Sequence, residues 1–380
     1  MRKLFTFILA LLTLELTCSQ RNMPYVRSNN PGNQVRIGVF LSLTGATAAY
    51  GISALNSFKL ATEEVNSAGG INGRMVELIT EDDHSNTEEV AGLVTKLIKQ
   101  DRVHALLAEP ISTRAMIAAP IAQENKIVMI SPAAVKPEVT MQGDYIFRAC
   151  FISSSEAEAI AAFAANKLRG KRAAIILDGK NDYAVVLAGF FSEYFKKFGG
   201  EIVSRQNYEA SDKDVSSQLK AINAAKPDVI FAPGFYTTAG TVAREVKRQG
   251  IKAILIGSDG WDSPSLLDGA GDAFVGVYFA NHFWVGSDDE FISKFVTGYT
   301  AKYGTAPDAG AATAYDAARL LFDAIKRAQS TESAAIRDAL AKTADFPGVT
   351  GRITLDANRN AVVPVYMLRI EKGGKFSLQN

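Results

Sequence analysis

Histidine and cysteine, the side chains most often used to hold metals or attack substrates, are nearly missing: three and two of 380 residues. His84, His104 and His282 stand far apart and lack metal-ligand spacing, so no metal site is expected. No Gly-x-Gly-x-x-Gly follows the first strand-like run, no Walker-type Gly-Lys-Ser/Thr loop occurs, and Gly269-Ala270-Gly271 lacks a strand-turn-helix setting. A Gly-x-Ser-x-Gly elbow is also absent, and Asp82-Asp83 reads as a solvated loop rather than a catalytic dyad. Hydride transfer, phosphoryl transfer and common hydrolysis lose their usual machinery. The expectation is a protein without cofactor that is not an enzyme.

Charge of one sign is missing too. Lys and Arg number 41 against 40 Asp and Glu, a net charge of +1. Nucleic acids and acidic membranes need clustered positive charge, so neither is an expected partner. Long apolar runs are confined to the start. Met1-Arg2-Lys3 precedes an apolar stretch, Leu4 to Leu14, too short to span a bilayer and suited to a signal peptide. Cys18 stands where an exported lipoprotein carries its acylated cysteine, although Glu15-Leu16-Thr17 fits that motif poorly. The chain is therefore expected in the periplasm or otherwise exported, free or anchored through Cys18. Cys150 reads as a small buried hydrophobe.

What is present is a regular alternation. From Val35 onward, short β-rich runs, mostly continuous and apolar, alternate with amphipathic helical stretches, as in stacked βα units covered on both faces. Strands are expected at 35–41, 75–80, 103–108, 126–130, 172–177, 201–205, 228–232 and 253–257, with helices between. Three helical stretches follow (290–303, 309–328, 332–342), then strand-like runs at 352–355 and 362–370. Two such series, before and after about Ile152, give an α/β fold of two doubly wound, Rossmann-like lobes joined by a three-crossover hinge. The expected division is a leader at 1–34, one lobe from 35–152 plus 282–351, and another from 153–281 plus 352–380.

In such folds the loops at strand C-termini carry function. The first, Ser42 to Gly51, is small and polar, enters a helix and includes Tyr50. Ser112, after the third strand, can cap the next helix or bind a carboxylate with its hydroxyl and N–H. The fourth ends in Ser131-Pro132-Ala133-Ala134-Val135 and exposes backbone groups. In the second series the matching loops carry Asp182-Tyr183, Gly234-Phe235-Tyr236 and Gly257-Ser258-Asp259-Gly260-Trp261. Aromatics on both sides and one acid suit a small zwitterion.

These loops resemble a known family. Thr44-Gly45, Tyr50-Gly51 and above all Asn66-Ser67-Ala68-Gly69-Gly70-Ile71-Asn72-Gly73 are similar to the type I periplasmic binding proteins, in particular the leucine/isoleucine/valine-binding proteins of ABC transporters. Ile130 to Ala134, Asp182-Tyr183 and Gly257 to Gly260 match in order and spacing, and the resemblance runs from Val35 to the C-terminus. It implies a ligand-binding set. Tyr50 and Tyr183 would be aromatic walls, Ser112 would hold an α-carboxylate, and the Ala133 carbonyl and Asp259 would take the α-ammonium. Val135 stands where the family usually has threonine and Phe235 where it usually has tyrosine. The usual N-terminal cysteine pair is absent, with Ile111 near one of its positions.

The resemblance further implies a monomer that binds an amino acid or a related polar or aromatic solute and delivers it to the membrane permease of an ABC transporter. A sensor of the same fold that reports the solute to a partner is the alternative.

Overall fold

The computed structural model describes residues 34–268 and 270–379. The expected leader, apart from Gln34, and Cys18 lie outside the described residues. In chain order, the elements are β1 (Gln34–Leu41), α1 (Ala48–Ser67), β2 (Met75–Asp82), α2 (Thr87–Lys99), β3 (Ala105–Leu107), α3 (Ser112–Glu124), β4 (Val128–Ser131) and β5 (Ile146–Arg148). Next come α4 (Ser153–Ala162), β6 (Arg172–Asp178), α5 (Asp182–Lys197), β7 (Glu201–Tyr208), α6 (Ser216–Ala224), β8 (Val229–Ala232), α7 (Tyr236–Arg248), β9 (Ile254–Gly257) and β10 (Tyr278–Asn281). The chain closes with α8 (Glu290–Tyr303), α9 (Ala309–Ala328), α10 (Ser333–Ala341), β11 (Phe346–Gly348), β12 (Gly351–Leu355), β13 (Ala361–Val362), β14 (Tyr366–Ile370) and β15 (Phe376–Leu378).

Two sheets organise these elements. The first is parallel throughout, in the order β2-β1-β3-β4-β5; the second runs β15-β14-β10-β9-β8-β6-β7, with β14 and β15 antiparallel. The apolar runs are buried because helices cover both faces of each sheet: Val39, Phe40 and Leu41 of β1, and Ile175, Ile176 and Leu177 of β6, are all 0% exposed. One apolar core surrounds the first sheet, and two more flank the second. The chain is therefore two-lobed, a type I periplasmic binding protein architecture.

Local chemistry sets several element ends. Asn86, Asn181 and Asp308 cap α2, α5 and α9 by accepting from Glu88, Ala184 and Ala311 N–H groups. The Gly69 to Gly73 stretch is a turn into β2, with Gly69, Gly70, Asn72 and Gly73 all at positive φ. A β-carbon on Gly70 would lie 2.2 Å from the Arg74 carbonyl oxygen, which excludes any side chain there. That motif builds the fold and borders no part of the cavity described below.

The chain passes between cores three times. Ala149 belongs to the first core and Cys150 to the second, Ala280 to the second and Phe283 to the first, Ala361 to the first and Met367 to the second. The last return thus comes later than the expected 351/352 boundary, which would cut through β12. Ile353, Leu355 and Ala361 pack in the first core, where β11, β12 and β13 form a small antiparallel sheet. The strand expected over 362–370 is two strands in two sheets, because Pro364 lacks the N–H a continuous ladder needs. Short strands β5, β10, β11 and β15 were not anticipated. The helix that precedes β6 begins at Ser153 and ends in a wider turn over Phe163–Lys167.

Candidate functional site

The first lobe contributes a wall of small residues and hydrogen-bond donors. The extended N-cap residue of α3 is Ile111, which has no side-chain cap, and Ser112 is the first helical residue. The capping role considered for Ser112 therefore does not apply. Its Oγ accepts from the Lys136 N–H at 3.2 Å, which leaves its own proton to be donated elsewhere. Ser131 Oγ donates to the Glu109 carbonyl at 3.0 Å and accepts from the Ala134 N–H at 3.1 Å, bending the loop after β4 back upon α3. The backbone N–H groups of Ser112 and Val135 have no protein partner among the described residues, although both residues are buried. Buried N–H groups without partners are rare, so these two invite an acceptor from a guest.

The second lobe presents an acid among aromatics. Tyr183, in the first turn of α5, stacks on Phe235 with ring centroids 5.3 Å apart and planes at 10°. Asp259 follows β9; one carboxylate oxygen accepts from the Tyr183 hydroxyl, and the other meets His282 Nε2 at 2.8 Å. Behind it the Asp259 N–H donates to Glu156 Oε1 at 2.8 Å. Glu156 is fully buried, its Oε2 has no partner, and burial followed by the Asp259 charge pushes its carboxyl well above the ordinary range.

Contacts across the cleft bring the walls together. The Tyr50 hydroxyl donates to the Gly260 carbonyl, and its ring lies edge-on to Phe235 at 5.9 Å. The Tyr236 hydroxyl donates to the Ala46 carbonyl at 3.3 Å, and the Ala309 N–H at the start of α9 donates to Asp262 at 2.8 Å. Gly260 permits this approach, since a β-carbon there would stand 2.6 Å from the Gly234 carbonyl oxygen and 3.0 Å from Phe235. A cavity of about 50 Å³ remains between the lobes, several times what one water needs.

Tyr50, Ser112, Ala133, Val135, Tyr183, Phe235 and Asp259 all border that cavity. Pro110, Asp262, His282, Ala309 and Gly310 border it as well and were not anticipated; Gly260 was named only as part of its loop, and Ile111 only as a departure from a cysteine pattern. His282 enters the sequence argument only as one of three dispersed histidines. Its ring stacks on Phe151 at 3.7 Å between centroids, and its Nδ1 is buried without a partner. The signal was available: Val277 to Asn281 is an apolar run ending in polar residues, the pattern of the other cavity-facing strands. Asp82-Asp83 also proved different from a solvated loop. Asp83 is buried, accepts from Ser42 Oγ at 2.6 Å and lies 3.4 Å from Arg114 Nε.

Two α/β lobes that join opposed polar groups across a closed cleft form an architecture suited to binding. Residues 34–375 match the family described as periplasmic binding protein, and the chain belongs to that family, within its leucine/isoleucine/valine-binding group. It is 28% identical over 348 residues to Leu/Ile/Val-binding protein homolog 1 of Brucella abortus, covering 90% of this chain and 92% of that protein. Among solved structures it is similar to a leucine binding protein LivK from Thermotoga maritima, with a TM-score of 0.86 and 32% identity over 91% of this chain and 98% of that one. It is also similar to the branched-chain amino acid transporter substrate binding protein LivJ from Streptococcus pneumoniae in complex with isoleucine, with a TM-score of 0.84 and 31% identity over 91% and 100%.

Proposed function

We propose that this protein captures a small zwitterion, an α-amino acid with a compact apolar or aromatic side chain, between its lobes outside the cytoplasmic membrane. It then delivers the guest unchanged, as a monomer, to the permease of an ABC transporter. The observation that carries this reading is the opposed chemistry of the two walls. Ser112 and Val135 offer two buried, unpartnered N–H groups and one hydroxyl proton on one side. Asp259 offers a carboxylate on the other, flanked by the stacked rings of Tyr183 and Phe235. The N-terminus of α3 adds a favourable dipole for an anion. The Ala133 carbonyl, to which no described group donates, is free for an ammonium.

Closure follows from binding to both walls: a guest bridging them favours the closed arrangement by its differential affinity. The likeness to a LivJ bound to isoleucine supports an amino acid as the guest. A thermal-shift screen of amino acids, their amides and aromatic acids, followed by calorimetry on the hits, tests the reading. Stabilisation by free amino acids above their amides is expected. A response restricted to compounds without an ammonium group would overturn it.

A further inference from the structure

Arg148 ends β5 with 0% exposure and forms no ion pair among the described residues. Its guanidinium instead donates to backbone and hydroxyl oxygens. Nη1 donates to the Ala134 carbonyl at 2.5 Å; Nη2 donates to the Lys136 and Pro137 carbonyls at 2.8 and 3.1 Å and to Thr140 Oγ1 at 3.3 Å. A buried charge without a counter-ion is costly, and apolar packing usually serves stability as well or better. Something other than stability is the better reason for an arginine here, and the loop it grips is the one that forms the cavity wall.

We propose that Arg148 is the positioning residue of the anion-reading wall, acting on the guest through the backbone without touching it. This rests on the amino-acid reading above. Peptide planes are trans throughout the described chain, so the Ala134 carbonyl and the Val135 N–H point in opposite directions from one plane. Anchoring that carbonyl on Arg148 turns the Val135 N–H away from the arginine, on the side of the cavity that Val135 borders. Anchoring the Lys136 carbonyl holds the residue whose N–H occupies Ser112 Oγ, and thereby aims the serine proton. A planar fork of donors fits several converging carbonyls; a lysine ammonium does not. The wall thus acquires its donors from an arginine one layer behind it.

L-leucine and L-leucinamide, which share an ammonium and a side chain but differ in the carboxylate, are the probes. In calorimetry the wild type should prefer leucine. R148Q should weaken leucine about ten- to a hundredfold, the range for hydrogen bonds to a charged group, and change leucinamide by less than about threefold. R148K should lose nearly as much as R148Q. Equal weakening of both probes would mean a merely structural role and would overturn the proposal.

Hydrogen exchange on the unliganded proteins supplies a readout that needs no ligand. The Lys136 amide should exchange at least tenfold faster in R148Q and R148K while the Met129 amide of β4 is unchanged. An unchanged Lys136 amide overturns the proposal. A wild type that binds neither probe, with that amide still released in the variants, would instead overturn the amino-acid reading. If R148Q does not fold, R148K carries both measurements.

Discussion

The two lobes share an architecture and meet the same cavity with opposite chemistry. The first offers N–H groups and a hydroxyl proton, and no charged side chain of its own reaches the cavity. The second offers carboxylates and two stacked rings, with His282 of the second passage beside them. A fold that repeats its scaffold need not repeat its site. The loops at the strand ends decide. The donor wall is made of backbone and therefore tolerates many side chains. The acid wall depends on a single carboxylate, and substitution there should tell at once.

The largest effect is expected from Asp259→Asn. Losing the charge opposite an ammonium should weaken L-leucine by about a hundredfold, the upper range for a charge-assisted hydrogen bond, with the melting temperature nearly unchanged. Calorimetry on the folded variant reads it, and an unaltered dissociation constant would remove Asp259 from the site.

Ser112→Ala should cost about tenfold for the same probe, since it removes one donor from the other wall while the two N–H groups remain. Next comes Val135→Thr, which adds a hydroxyl at the edge of the donor wall. A gain of about threefold for leucine and none for leucinamide would sharpen the contrast between the walls; a loss would mean the cavity has no room for the hydroxyl. Tyr50→Phe deletes the hydroxyl that reaches the Gly260 carbonyl and should lower affinity by about threefold. Its signature is a larger radius of gyration by small-angle scattering, because the closed arrangement loses a cross-cleft bond.

The smallest effect concerns stability. Burial raises Glu109 and Asp308 to about 7 and Asp316 to about 6, and all three carboxyls lie in the first lobe. Folded, these groups keep protons that the unfolded chain releases nearer pH 4 to 4.5. Stability therefore falls as pH rises from about 4.5 towards 7 and levels off above. His104, held low by burial, works in the opposite direction over part of that window. Melting temperature should be higher at pH 5 than at pH 8, by roughly 1–2 °C for each kcal/mol involved. A shallower profile would mean that Arg114 keeps Glu109 ionised through its bonds at 2.7 and 3.1 Å, and a flat one would mean that none of the three carboxyls is raised.

Much of this was readable from the chain. Continuous apolar runs announced the parallel strands, and the family resemblance picked out seven residues that border the cavity. What escaped reading depends on three-dimensional crowding. Glu156 looks like any acid in the first turn of a helix until α4 is packed against the Asp259 loop. Arg148 looks like a strand-end cation, and only the return of the loop after β4 surrounds it with carbonyls. The late crossing at Pro364 was hidden because its two flanking strands have the same β-rich composition and differ only in the sheet they join.

The three passages between cores lie side by side. The Arg148 N–H bonds to the Arg359 carbonyl at 3.1 Å, and Phe151 of the first passage stacks on His282 of the second. Bodies tied by one thread can swivel freely, whereas bodies tied along a line of three can only fold about that line. The angle between the lobes is then a single coordinate. The permease of the proposed function would then need only that angle, and no access to the guest, to sense occupancy.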